Sequence, residues 1–214
     1  MRLTSPTPAK IALTVSLFCG CVSLGADPNE RLVDIHAVDS RILIEMRYAT
    51  ANNFTHRILY PTARCLLREN VARRLAWVES DLALQGLGLK VFDCYRPRSI
   101  QYKLWEIVHD DRYVADPKKG SRHNRGAAVD LTLVDLKAAS GPRELEMPTG
   151  FDDFTEAAHR DYQGASGEAL LHRRILQDAM ERRGFTGLST EWWHFDAKGW
   201  ERYPLLDVPF DAIR

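Results

Sequence analysis

An aspartate inside a strand-like apolar run constrains this chain more than any other feature. The stretch "AAVDLTLVDL", residues 127–136, sets Val129, Leu131 and Leu133 against Asp130 and Thr132. That is the two-residue period of a β-strand, with alternate side chains on opposite faces. A carboxylate in such a setting must be paired, hydrogen-bonded or bound to a metal, because an isolated charge is strongly disfavoured away from water. If Val129, Leu131 and Leu133 face the core, Asp130 points into a cleft. The loop ahead, "SRHNRG", offers His123, and Gly126 permits a sharp turn between the two.

A second stretch near the other end, "EWWHFD", holds Glu191 three residues before His194, separated by two tryptophans. Indole walls make a low-dielectric setting in which a glutamate pKa rises and the group can move protons near neutral pH. Neutral imidazole is a common zinc ligand. His123, Asp130 and His194 would make a two-histidine, one-carboxylate set of the catalytic kind, with Glu191 as a base beside it. The residues taken alone also fit a plain alternative, in which Trp192, Trp193 and Phe195 are core strand residues and the polar groups are satisfied locally. On a regular strand i and i+3 face opposite ways, so Glu191 and His194 share a target only if the strand is bulged.

The rest of the chain supplies a frame for such a cleft. Ile42, Ile44 and Met46 alternate as in a strand. Residues 60–86 read as a helix with Val71, Leu75, Val78 and Leu82 in one stripe, ended by Gly86 and Gly88. "LKVFDCY" reads as a strand closed by Pro97, and residues 98–110 as a helix with Ile100, Leu104 and Ile107 on one face. After a long loop, residues 136–166, a third helix is expected over 167–185 with Leu171, Ile175 and Ala179 on its inner face. Helices and strands mix without regular βαβ spacing. The expectation is an α+β single domain with a small, mostly antiparallel sheet flanked by helices.

The first residues differ from this domain. Arg2 and Lys10 precede an apolar run from Ile11 to about Leu24, and Ser23 and Gly25 follow as small exit residues. That pattern predicts a signal peptide over 1–25 and a mature domain over 26–214, periplasmic or secreted, with no stable membrane insertion after cleavage. An uncleaved anchor and lipidation at Cys21 are the alternatives. Cys19 and Cys21 lie in the leader, which leaves Cys65 and Cys94 as a disulfide or as two buried thiols. The formal net charge is zero, so nothing points to a nucleic-acid partner.

Taken together, the motifs resemble a known family. "SRHNRGAAVDLTL" matches the S-x-H-x-x-G-x-A-x-D pattern of zinc D,D-peptidases. With "EWWHFD", "FDCYRP" and "MRYATANNF" in matching order, the chain from about Leu32 onward resembles the VanX-type D-alanyl-D-alanine dipeptidases. The resemblance implies one zinc ion in the central cleft, with His123, Asp130 and His194 as ligands and Glu191 as catalytic base. It implies that Arg96 holds and polarises the scissile carbonyl, with Asp93 orienting it. Ser121 falls on a substrate contact, and Tyr48 and Asp152 on positions that meet the dipeptide's amino group. Cys94 departs from the family pattern, where glycine is more usual, and would suit a disulfide with Cys65. The loop over 136–166 is placed to close the cleft. His36, His56, His109, His159 and His172 read as surface or structural residues.

The implied activity is hydrolysis of the free dipeptide D-Ala-D-Ala, a small-molecule substrate, in peptidoglycan turnover. The alternatives are a D,D-carboxypeptidase or endopeptidase of the same fold, acting on longer wall peptides, and a non-catalytic wall-binding module.

Overall fold

A computed structural model describes residue 1 and residues 31–213. The expected leader, with Cys19 and Cys21, lies outside the described residues. Among the described residues, no helix is long and apolar enough to cross a membrane.

Three short strands come first: β1 (Leu32–Asp34), β2 (Leu43–Ile44) and β3 (Leu66–Arg68). Helix α1 (Glu69–Ala83) leads into β4 (Leu87–Asp93), followed by α2 (Arg98–Ile107) and β5 (Ala128–Asp135). The chain then forms β6 (Arg143–Glu144), α3 (Gly167–Arg182), β7 (Phe185–Leu188) and β8 (Glu191–Ala197). The main sheet runs β2-β4-β5-β8-β7, with β6 also alongside β5. β2 and β4 are parallel and the other neighbours antiparallel. β1 and β3 form a separate antiparallel pair. This is the α+β domain with a mostly antiparallel sheet that the patterning predicts.

The stripe on α1 is as expected: Val71, Leu75, Val78 and Leu82 are all buried. The helix starts at Glu69 rather than near residue 60, because Leu66 and Leu67 are extended against β1 and buried. It packs against β4 and α3. Gly86 ends the helical region at φ 78°, a left-handed conformation that glycine adopts without a Cβ penalty.

Helix α3 turns Ala179 and, in part, Ile175 to the core as expected, but not Leu171. Ser166 caps it, accepting from the Ala169 N–H at 3.1 Å, but Leu171 on the expected inner face is exposed. The buried residues are Ala169, Arg173, Leu176, Ala179 and Met180. The small alanines let the helix approach the core closely. Arg173 is tolerated inside because its Nη1 donates to the His159 and Tyr162 carbonyls at 3.1 and 2.8 Å. On α2, Ile100 and Leu104 are buried but Ile107, in the last turn, is exposed.

The strand that carries Asp130 is buried on both faces from Ala128 to Val134. Val129, Leu131 and Leu133 belong to the apolar core, and the opposite face carries Asp130 into the site.

Candidate active site

Three neighbouring strands place acidic and imidazole side chains in one row. Asp130 on β5 stands opposite His194 on β8 and, across the other edge, opposite Asp93 on β4. Directly opposed antiparallel residues bring their Cβ atoms to about 5 Å, so short side chains on the same face touch. A register shift between Val91 and Asp93 turns Asp93 into this row. His123 enters from the loop. It begins a one-turn 3-10 helix that Gly126 closes at φ 65°, with the Gly126 N–H donating to the His123 carbonyl at 3.0 Å. A methyl group on Gly126 would overlap Leu32, so space as well as backbone angle calls for glycine there.

The donor atoms converge closely. His123 Nε2 lies 3.3 Å from Asp130 Oδ2 and 3.2 Å from His194 Nδ1, and His194 Nδ1 lies 2.9 Å from Asp130 Oδ1. Zinc bonds of about 2.0–2.1 Å at tetrahedral angles set neighbouring ligand atoms roughly 3.3 Å apart. These spacings, and a donor set of two imidazoles and one carboxylate, fit zinc. The second nitrogen of each ring is also held. His123 Nδ1 meets the Cys94 carbonyl at 2.7 Å and His194 Nε2 meets Asp196 Oδ1 at 3.0 Å. Such partners fix ring orientation and leave the other nitrogen for a metal. Burial alone would lower the His194 pKa, but its ring's hydrogen bonds to the Asp130 and Asp196 carboxylates outweigh this and push it up to about 10. Asp130 is held below the usual carboxylate range: burial opposes this, and His123 and His194 prevail.

Glu191 is buried, with Oε2 4.0 Å from His194 Nδ1. Burial pushes its pKa up to about 7, with Asp130 adding repulsion and His194, His123 and Arg96 opposing. Glu191 and His194 share a target because β8 is not regularly paired. β7 matches Gly187 with Phe195 but Leu188 with Glu191, so residues 192–194 bulge past it.

Arg96 is buried and pinned on two sides. Its Nε and Nη2 donate to Asp93 Oδ2 at 3.1 and 2.6 Å, and its Nη1 to Gln101 Oε1 at 2.8 Å. Burial disfavours its charge, but Asp93 more than offsets that, so the guanidinium stays protonated. Asp93 Oδ1 accepts in turn from the Tyr60 hydroxyl at 2.7 Å. The Tyr48 hydroxyl donates to both oxygens of Asp152 at 3.2 Å, and burial raises the Asp152 pKa well above its usual value. Ser121 Oγ accepts from the His123 N–H at 3.2 Å.

All eight residues expected to act on metal or substrate (Tyr48, Arg96, Ser121, His123, Asp130, Asp152, Glu191 and His194) line one small cavity of about 130 Å³. A larger cleft of about 590 Å³, lined by Pro61, Ile100 and Phe210 among others, shares none of them. Cys65 and Cys94 are joined by a disulfide. From the loop expected to close the site, Asp152 and Phe154 reach the cavity. A second wall, Asp111 to Ala115, went unrecognised in the sequence because a polar and aromatic loop has no periodicity to reveal it. Asp196 was also missed, although its position two residues after His194 on a strand places it on the same face.

A mixed α+β domain that buries a zinc-type ligand set beside a raised-pKa glutamate and a fixed arginine defines a zinc metallopeptidase. The family described as Peptidase_M15, D-ala-D-ala dipeptidase, matches residues 28–209, and the chain belongs to it. It is 39% identical to the D-alanyl-D-alanine dipeptidase of Escherichia coli (strain K12), over 85% of this chain and 92% of that one. It is 29% identical to the D-alanyl-D-alanine dipeptidase of Enterococcus faecalis (strain ATCC 700802 / V583), over 78% and 87% of the two chains. Among solved structures it is similar to the vancomycin resistance D,D-dipeptidase VanXYg in complex with a D-Ala-D-Ala phosphinate analog, at a TM-score of 0.40 and 21% identity. That match covers 63% of this chain and 51% of the other.

Proposed function

We propose that this chain hydrolyses the free dipeptide D-Ala-D-Ala to two D-alanines, with zinc held by His123, Asp130 and His194. The observation that carries this reading is one small cavity lined by the ligand set, Glu191 and the Tyr48–Asp152 pair. Bound zinc supplies a Lewis acid that polarises the scissile carbonyl and makes water acidic near neutral pH. Glu191 removes the proton from the attacking water and delivers it to the departing amine, the double duty of a positioned general base and acid. Arg96, immobilised by Asp93 and Gln101, donates to the carbonyl oxygen as negative charge develops there. Asp152 meets the substrate ammonium, and the Tyr48 hydroxyl keeps its carboxylate aimed. Ser121 contacts the substrate beside His123.

A small cavity with a buried carboxyl group able to pair with an ammonium favours a free dipeptide over the longer wall peptides of a carboxypeptidase or endopeptidase. We further propose that the protein is exported, with a leader over 1–25 and a mature domain over 26–214, and serves turnover of wall-derived dipeptide. The basic and apolar leader pattern and a disulfide beside the site support this.

The test is release of free D-alanine by the purified domain from D-Ala-D-Ala and from N-acetyl-D-Ala-D-Ala, with and without chelator, alongside Glu191→Ala. Chelator-sensitive cleavage of only the free dipeptide, lost in the variant, is expected. Equal cleavage of the acetylated peptide would overturn the dipeptidase assignment.

A further inference from the structure

The segment that carries Glu191 has little strand pairing of its own. β5 pairs with β8 only from His194 onward, and β7 skips residues 192–194. Arg160, distant in sequence, fills that gap. Its Nη2 donates to the Trp192 and His194 carbonyls at 2.9 and 2.8 Å, and its Nε to the Leu188 carbonyl at 2.8 Å. Its own backbone N–H donates to the Ser189 carbonyl at 2.9 Å. The guanidinium lies over the Phe195 ring, 4.2 Å from its centroid. Gly187 makes room for it, since a methyl group there would overlap the guanidinium carbon and nitrogens. Burial brings the Arg160 pKa down to about 10, so the side chain remains a cation at neutral pH.

We infer that Arg160 is a positioning residue for the hydrolytic reaction: its guanidinium takes the place of the β7 partner that Trp192–His194 lack and thereby sets Glu191 against the metal-ligand set. Gly187 is the second half of the device. The inference rests on the reading of Glu191 as the base. A planar fork that reaches three carbonyls at fixed angles is not reproduced by an ammonium, so lysine is a poor substitute. Displacing a catalytic group by about 1 Å costs on the order of 100-fold in rate, without a matching loss of substrate affinity.

The experiment compares Arg160→Lys, Arg160→Gln and Gly187→Ala with the parent and with Glu191→Gln. It measures kcat and KM for D-Ala-D-Ala, zinc affinity by chelator competition, and folding by circular dichroism. The expected result for the first three is a folded protein whose zinc affinity changes far less than its kcat, since Arg160 holds main-chain carbonyls and no ligating side chain. Their kcat should fall about 30-fold or more, with KM within about threefold. The inference is overturned if the folded Arg160 variants keep kcat within about threefold of the parent, or if zinc affinity falls in proportion to kcat. Should both Arg160 variants fail to fold, Gly187→Ala decides by the same readouts, because it keeps the arginine and presses on it. An active Glu191→Gln would remove the base assignment and this inference with it. An inactive Glu191→Gln beside active Arg160 and Gly187 variants would remove the inference alone.

Discussion

Asp152 shows how much can rest on one side chain. It is a non-glycine residue at φ 61°, in the left-handed region that L-residues other than asparagine and aspartate seldom adopt. Burial, then repulsion from Asp130, raises its pKa and so favours the neutral acid, and a cation bound beside it would restore the carboxylate. The substrate ammonium is the cation proposed for that place. Asp152→Asn keeps the size and tolerates the backbone angle but cannot become an anion. It should raise KM for D-Ala-D-Ala by about 10- to 100-fold, as expected for a lost charged hydrogen bond of ~1.5–3 kcal/mol. Steady-state kinetics would check this, and a KM unchanged from the parent would take the ammonium role from Asp152. The identity of such residues could be read from the chain, since Glu191, Arg96 and the ligand set stand in distinctive short motifs. Their burial could not, and burial is what raises the pKa of Glu191 and Asp152.

Between elements, α1 carries a fully buried carboxyl group outside the site cavity. Glu79 is fully buried against β4, where Oε2 accepts from the Leu89 N–H at 2.8 Å. Burial raises its pKa, and the Leu89 hydrogen bond opposes this only partly. A carboxyl with a folded pKa above its unfolded value contributes stability below the unfolded pKa and loses it as pH rises through the folded pKa. Glu79→Gln keeps the acceptor and removes the ionisation. Its melting temperature should exceed the parent's at pH 8, and the gap should close toward pH 4, as thermal unfolding at the two values would show. The α1 stripe was readable because four large apolar residues repeat at helical spacing. On α3 the expected Ile175 and Ala179 face the core, but the rest of its inner face is small or polar, with Ala169 and a carbonyl-bound Arg173, while Leu171 faces out. β7 is four residues with a glycine and has no period of its own, yet its bulge against β8 aims Glu191.

Across the whole molecule, the disulfide ties the strand pair β1–β3 to the catalytic strands. Cys65 precedes β3, and the Cys94 carbonyl is the acceptor for His123 Nδ1. Cross-linking residues 29 apart in sequence should stabilise the fold by about 2–4 kcal/mol. Reduction, or Cys65→Ala with Cys94→Ala, should therefore lower the melting temperature by roughly 5–15 °C. It should also weaken zinc retention in a chelator competition. An unchanged melting temperature in reductant would show that the cross-link carries no stability.

Sequence alone determined the fold class and the chemical kinds present: two imidazoles, an aspartate, a glutamate and an arginine, each in a motif a few residues long. Those properties are local, set by residue identity and by strand or helix period. The three-dimensional packing decided which groups meet. Register across β4, β5 and β8 aligned Asp93, Asp130 and His194, and the bulge opposite β7 turned Glu191 toward them. Arg160 reached across to carbonyls some 30 residues away in the chain. Contacts at that separation depend on the register and close packing of whole elements, and no short window of residues contains that information.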